Sequence, residues 1–179
     1  MRRRQFISLL GGAAVAYPFA ARAQQSERVR RVGVLMSTTE NDVEGQARID
    51  AFLQGLRQAG WAVPGNVRIE TRWGAGDAER IRKDAAELVT LAPDVILASG
   101  GAVAGSLLQA TRTVPIVFTL TPDPVGAGFV QSLAHPGGNA TGFTSIEYGM
   151  SGKWLELMRE IAPGVTRVAV LRDPTCPRE

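Results

Sequence analysis

Cysteine and histidine are almost absent from this sequence, which has only Cys176 and His135 among 179 residues. A single cysteine cannot form an internal disulfide, and no cluster of Cys and His has the spacing of metal ligands. His135 precedes Pro136 in a predicted turn, which favours a structural or solvated side chain. The sequence therefore predicts no metal site and no cofactor.

The common motifs of α/β enzymes are also lacking. No Gly-x-Gly-x-x-Gly follows the first predicted strand, no Gly-x-Ser-x-Gly is found, and Gly152-Lys153 is followed by Trp154, which has no hydroxyl for magnesium. We expect no catalytic residue and predict that the protein is not an enzyme. An exported α/β enzyme with an unrecognised site stays as an alternative, with Asp123 and more remotely Glu147 as its acidic groups.

Outside the N-terminus, basic residues do not outnumber acidic ones. The formal net charge is +3, but four arginines and no acidic residue lie in residues 1–23, which leaves 16 basic against 17 acidic side chains in the remainder. A body this close to neutral has no electrostatic surface for phosphates, so nucleic acid is excluded as a partner.

The N-terminus has the three parts of an export signal. Arg2, Arg3 and Arg4 precede an apolar stretch from 6 to 20, which is too short for a membrane span, and Ala21-Arg22-Ala23 is a small-x-small cleavage pattern. The stretch Arg3 to Ile7 resembles a twin-arginine signal, with the general secretory route as the alternative. We expect cleavage after Ala23 and a periplasmic protein; a core helix or an anchor would be the other interpretation.

Strands and helices alternate along the remaining chain. Apolar, β-branched runs predict buried parallel strands, and apolar residues three and four apart predict amphipathic helices. Gly60 and Asp77 are predicted to end one helix and cap another. The strands are expected at 31–36, 67–73 (at an edge), 94–99, 115–120, 140–144 and 167–171, and the helices near 49–56, 77–89, 102–110, 129–133 and 153–161.

This alternation, with short loops, predicts an α/β fold in which helices cover both faces of a parallel sheet. Ligands of such sheets bind beyond the carboxyl ends of the strands. The candidate ligand-binding residues therefore follow the strands: Ser37, Thr38, Ser99, Gly100, Gly101, Thr121, Asp123 and Thr144.

These groups suit a small polar solute held by hydrogen bonds. Gly100-Gly101, at a helix start, leaves N–H groups free for a carboxylate, and Asp123 is a candidate partner for an ammonium group. In the alternative interpretation, the hydroxyls only cap helices and Asp123 shapes its proline-rich turn.

A set of segments in fixed order resembles one family of transport proteins. They include Arg31 to Met36, 91–98, 110–118, Asp123-Pro124-Val125-Gly126 and 136–143. Together they are similar to the substrate-binding proteins of ABC transporters, related to the tryptophan- and tyrosine-binding type. A periplasmic ligand-sensing module is a further alternative.

The resemblance implies a type I periplasmic-binding fold, in which two lobes close on a solute by a hinge motion and dock, as a monomer, on an ABC permease. It implies a first lobe at 24–145, and a crossover and the start of a second lobe at 146–179. Members of the family are nearly twice this length, so the chain is expected to be truncated and to present half of a cleft. An amino acid is the expected solute.

Overall fold

The computed structural model describes residues 28–145 and 150–169. The predicted leader, its twin-arginine stretch, the cleavage position, Glu147 and Cys176 lie outside the described residues. The elements are β1 (Arg30–Met36), α1 (Val43–Gln58), β2 (Val67–Trp73), α2 (Ala78–Thr90), β3 (Val95–Ser99), α3 (Gly101–Ala110), β4 (Ile116–Thr121), β5 (Ala140–Thr144) and α4 (Met150–Ile161). None of the helices in this part of the chain is long and apolar enough to cross a membrane.

The strands form one parallel sheet in the order β2-β1-β3-β4-β5. The predicted parallel α/β fold is confirmed, and β2 lies at an edge of the sheet as expected. The first strand lies inside the sheet, next to the edge strand: the chain moves outward to β2, returns past β1 to the central strand β3, and continues to β4 and β5. Because the strands are parallel, their carboxyl ends all lie along one side of the sheet, which we call the carboxyl edge.

Helices cover the two faces unequally. On one face, α2 and α3 pack on β1, β3 and β4, and their buried core includes Leu35, Leu88, Ile96, Leu107 and Phe118. This arrangement follows from the right-handed connection preferred between parallel strands, since β2-to-β3 and β3-to-β4 both run in the same direction across the sheet.

The connection from β1 to β2 runs in the opposite direction and places α1 on the other face. There the buried residues Val34 and Met36 of β1 pack with Ile49 and Phe52 of α1. Leu97 of β3 is only partly buried beside this cluster. The described part of this face thus has a groove between α1 and the strands β3 and β4.

The helix ends follow the local sequence. The Asp42 carboxylate accepts a hydrogen bond from the N–H of Gly45 at 2.6 Å, and Asp77 accepts from Glu79 and Arg80 at 2.8 and 2.9 Å. Gly60 follows α1 with a φ of +85°, a conformation that glycine adopts without strain. The predicted end of α1 at Gly60 and the cap at Asp77 are confirmed.

Two predicted elements differ from the structure. Residues 129–133 form bends and irregular structure and not a helix, because Phe129 and Val130 both donate to the carbonyl of Pro124 and so close a compact loop. The last strand, expected at 167–171, begins with residues that have no regular structure, and its end lies outside the described residues.

Helix α4 forms where it was expected but begins earlier, at Met150. The apolar side chains of Trp154, Leu155 and Met158 remain about half exposed, and that of Ile161 is 83% exposed. The described residues thus leave the apolar face of this helix open. The division into a first lobe at 24–145 and a second at 146–179 stays a prediction.

Candidate functional site

The carboxyl edge of the sheet collects the residues that were expected to bind a ligand. Ser37 follows β1, Ser99 ends β3, Thr121 ends β4 and Thr144 ends β5. The Ser37 N–H donates to the Ser99 carbonyl at 3.2 Å, and the Gly100 N–H donates to the Thr119 carbonyl at 2.9 Å. These bonds extend the ladder past the strands and hold neighbouring strand ends together.

Gly100 is placed where only glycine fits well. Its φ is +110°, and a Cβ at this position would lie 3.1 Å from the Ser37 Oγ. The Ser37 hydroxyl and the start of α3 are therefore direct neighbours. Because no side chain of the described residues caps α3, the N–H groups of Gly101 and Ala102 are left for another acceptor.

Ser99 adds a hydroxyl beside this helix start. The residue is only 3% exposed. It lines the groove between α1 and the sheet, which has a volume of about 290 Å³. The other residues of the groove are Met36, Arg48, Ile49, Ala51, Phe52, Leu97, Thr119 and Leu120.

Thr121 and Thr144 tie two strands together. Thr121 is fully buried, and its hydroxyl donates to the Thr119 carbonyl at 3.3 Å. The Thr144 hydroxyl donates to the Thr121 carbonyl at 3.1 Å. Both hydroxyls thus have structural partners at the end of the β4–β5 pair.

Thr38 faces helix α1. Its Oγ1 is buried without a hydrogen-bond partner in the described part of the chain, and a Cβ on Gly45 would lie only 2.4 Å from it. The Thr38 hydroxyl is therefore covered by the first turn of α1, while the Ser37 hydroxyl lies beside Gly100.

Asp123 shapes its own turn. Its φ is +35°, and its Oδ1 accepts a hydrogen bond from the N–H of Gly126 at 2.9 Å. This is the contact expected if the carboxylate organises the proline-rich loop after β4. One carboxylate oxygen is used in that turn, which leaves Oδ2 as the atom for any bond to a solute.

Asp77 is the acidic residue of this edge with a shifted pKa. The N–H groups of Arg80 and Glu79 hydrogen-bond the carboxylate and lower the pKa of Asp77. The side chain is therefore charged at neutral pH, and its hydrogen bonds serve the start of α2.

Leu120 was not predicted from the sequence as part of the site. It lies in a run that reads as an ordinary strand, yet its φ is +53° and 40% of its surface is exposed. No local sequence signal marks this conformation, because it results from a register shift between β4 and β5.

No group of three or more His, Cys, Asp or Glu in the described ranges is arranged to hold a metal ion. What the edge offers instead is backbone N–H groups, two serine hydroxyls and an apolar groove beside them. Such a surface can hold a small molecule without reacting with it.

Comparison with known proteins identifies the family. Residues 31–177 match the family described as ABC transporter substrate binding protein. The chain belongs to this family. It is a family of substrate-binding proteins and not of enzymes.

Relatives agree with this membership. The chain is 31% identical over 120 residues to a tyrosine-binding protein from Clostridioides difficile (strain R20291), an alignment that covers 67% of this chain and 34% of the relative. A crystal structure of a conserved domain protein from Vibrio cholerae has a TM-score of 0.66 and 30% identity, with 76% of this chain and 45% of that chain covered.

A second solved structure is the ABC domain from Streptococcus pneumoniae in complex with L-Trp. It has a TM-score of 0.64 and 25% identity, with 75% of this chain and 44% of that chain covered. The chain therefore spans between one third and one half of the length of these relatives.

Proposed function

We propose that this chain forms the first lobe of an extracytoplasmic binding protein that captures an amino acid and delivers it to an ABC permease. The observation that carries the proposal is the uncapped start of α3 at the carboxyl edge, flanked by the hydroxyls of Ser37 and Ser99. Relatives that bind tyrosine or are solved with L-Trp support an amino acid as the solute.

The proposed binding mode starts from the α-carboxylate. Its oxygens accept hydrogen bonds from the N–H groups of Gly101 and Ala102, where the helix dipole also favours negative charge. Ser37 donates a further hydrogen bond from the side of β1. The ammonium group is then left for Asp123 Oδ2 or for groups of the second lobe.

The cellular side of the proposal rests on the leader. A signal in residues 1–23, removed after Ala23, would deliver the protein to the periplasm, where it acts as a monomer with a membrane permease. The second lobe would supply the rest of the cleft and the surface on which the permease closes.

A thermal-shift titration of the purified chain tests solute binding. We expect the melting temperature to rise with the concentration of an L-amino acid, because a ligand of the folded state stabilises it by mass action. The corresponding amino-acid amide, which lacks the carboxylate charge, and a neutral sugar should give little or no shift. Equal responses to the acid and its amide would contradict the carboxylate site.

A pair of serine variants locates the site. Ser37→Ala removes one proposed donor and should weaken binding by roughly 2- to 10-fold, the usual effect of one neutral hydrogen bond. Ser106→Ala is the control, since the Ser106 hydroxyl bonds the Ala102 carbonyl on the surface of the same helix. An equal loss of affinity in Ser37→Ala and Ser106→Ala would mean that the solute does not bind at Ser37.

A further inference from the structure

Leu120 has a backbone conformation that a leucine rarely adopts. Its φ of +53° lies in the left-handed region, where the Cβ of an L-residue is crowded by the backbone. Such conformations persist only where the surrounding structure imposes them, and they are frequent at binding sites. Leu120 lies at the carboxyl edge, next to the candidate site.

The strain comes from an extra residue in β4. Phe118 pairs with Gly142, and the pairing resumes with Thr121 opposite Thr144. Two residues of β4, Thr119 and Leu120, thus oppose the single residue between Gly142 and Thr144. This is a β-bulge, a device that changes the direction of a side chain near a site.

The bulge produces a sharp contrast between neighbours. The polar Thr121 is completely buried, whereas the apolar Leu120 is 40% exposed. Burial would normally favour the opposite assignment, since exposing leucine forfeits the free energy of removing it from water. The backbone therefore presents an apolar side chain at an edge otherwise formed by hydroxyls and N–H groups.

The exposed side chain continues an apolar surface. Leu120 lines the groove together with Met36, Phe52 and Leu97, and the buried Ser99 lies in the same lining. Arg48 adds one charged group to this lining. Ser99 directly precedes Gly100 and Gly101, so the groove begins beside the helix start that is proposed to hold the polar head of the solute, and Leu120 is placed to contact the solute's side chain.

We propose that Leu120 is a specificity-determining residue that selects amino acids with large apolar side chains over small or polar ones. The inference rests on the proposed function, since it concerns the solute bound at the same edge. Leu120 supplies the contact area, and the bulge holds it there before the solute arrives.

The variant Leu120→Gly separates this role from a structural one. Glycine adopts a positive φ without strain, so the melting temperature of the free protein should stay the same or rise. The affinity for L-tryptophan and L-leucine should fall by about 10-fold or more, as for the loss of several apolar groups from a site. The affinity for L-alanine and L-serine should change by less than about twofold, so the ratio of affinities falls.

Ala92→Gly is the matched control. Ala92 also has a positive φ, of +48°, but it precedes β3 at the opposite end of the sheet. This variant should gain the same relief of strain and keep all affinities of the wild type. A titration of each amino acid into the wild-type chain and the two variants, followed by thermal shift and by calorimetry, provides both readouts.

Three other results would contradict the inference, and they can be told apart. An unchanged ratio of affinities in Leu120→Gly would mean that Leu120 does not select the solute. A lower melting temperature together with equal loss for all amino acids would assign Leu120 a structural role. A wild-type chain that responds to no amino acid would refute the proposed function, and the inference would fall with it.

Discussion

Gly142 lies where two neighbouring strands leave no room for a side chain. A Cβ on this residue would be 2.0 Å from the Phe118 carbonyl oxygen and 2.7 Å from the Phe118 nitrogen. These are backbone atoms of the adjacent strand, so the clash cannot be relieved by a rotamer change. Gly142→Ala should lower the free energy of unfolding by roughly 1–3 kcal/mol, the usual cost of overpacking.

The control for this variant is Gly55→Ala. Gly55 lies within α1 with no neighbouring atom in reach of a new Cβ, and alanine should stabilise that helix by about 0.5–1 kcal/mol. Urea unfolding of both variants measures the two effects. A Gly142→Ala protein as stable as the Gly55→Ala protein would contradict the close approach of β4 and β5.

Single residues also mark the limit of sequence-based prediction. The polar residues after each strand were found from the sequence because a strand ends where its apolar run ends. Two features were not found from the sequence. The Thr38 hydroxyl is buried because α1 packs over it, and the left-handed conformation of Leu120 depends on the pairing of β4 with β5. The alternative role of Asp123 as a turn former matches its hydrogen bond to Gly126.

The elements β1 and β3 are tied together at their starts by Asp94. Its carboxylate accepts a hydrogen bond from the Arg31 N–H at 2.9 Å and one from the Arg30 guanidinium at 3.2 Å, and Arg28 forms an ion pair with it at 3.1 Å. The Arg31 N–H is the main reason that the pKa of Asp94 is lowered, with Arg30 and Arg28 adding to it against the opposing effect of burial.

Asp94→Ala should therefore lower the free energy of unfolding by about 1–3 kcal/mol at pH 7, as for hydrogen bonds to a charged group. The folded-state pKa lies below the unfolded value of about 3.9, so the stabilisation is complete above that pH and is lost as the pH falls through the folded-state pKa. Chemical unfolding between pH 7 and pH 2 should show the wild type and the variant converging in acid.

Asp50→Ala is the matched control, since Asp50 is an exposed residue on α1 and its replacement should change stability little at neutral pH. A difference between Asp94→Ala and wild type that stays constant down to pH 2 would mean that packing, and not the charge, links β1 to β3.

Elements with a clear period were predicted well and turns were not. The apolar spacing of Ile81, Ala85 and Leu88 predicts α2, and all three side chains are buried against the sheet. The helix expected at 129–133 is not formed because the N–H groups of Phe129 and Val130 both donate to the Pro124 carbonyl, which folds the segment back on the preceding loop. The spacing of apolar residues in the sequence gives no sign of these hydrogen bonds, so they could not be predicted from it.

At the scale of the whole molecule, the two edges of the described sheet differ in charge. Edge strand β2 carries Arg68, Glu70 and Arg72, whereas β5, with the sequence ATGFT, carries no charge and exposes 73% of Phe143. Charged side chains protect a sheet edge from pairing with another chain, so we expect aggregation of the concentrated chain, as distinct from the proposed monomeric working state, to begin at β5.

Thr141→Lys should reduce the light scattering of the concentrated chain, because it places a charge on the exposed surface of β5. The reciprocal variant Arg68→Thr removes a charge from β2 and should increase scattering. Scattering that is the same for both variants and the wild type would show that neither edge controls association.

The position of β1 between β2 and β3 has a consequence for the order of events in folding. Arg30 pairs with Val67, and Val32 pairs with Val95, so the first strand must wait for two partners that come much later along the chain. The chain loses conformational entropy when it closes these long loops, and the strand contacts that offset this loss form only afterwards. Parallel sheets are therefore slow to form. The hydrophobic strand β1 thus stays unpaired on one side until β3 has been made, and during this interval its free edge is open to pairing with other chains.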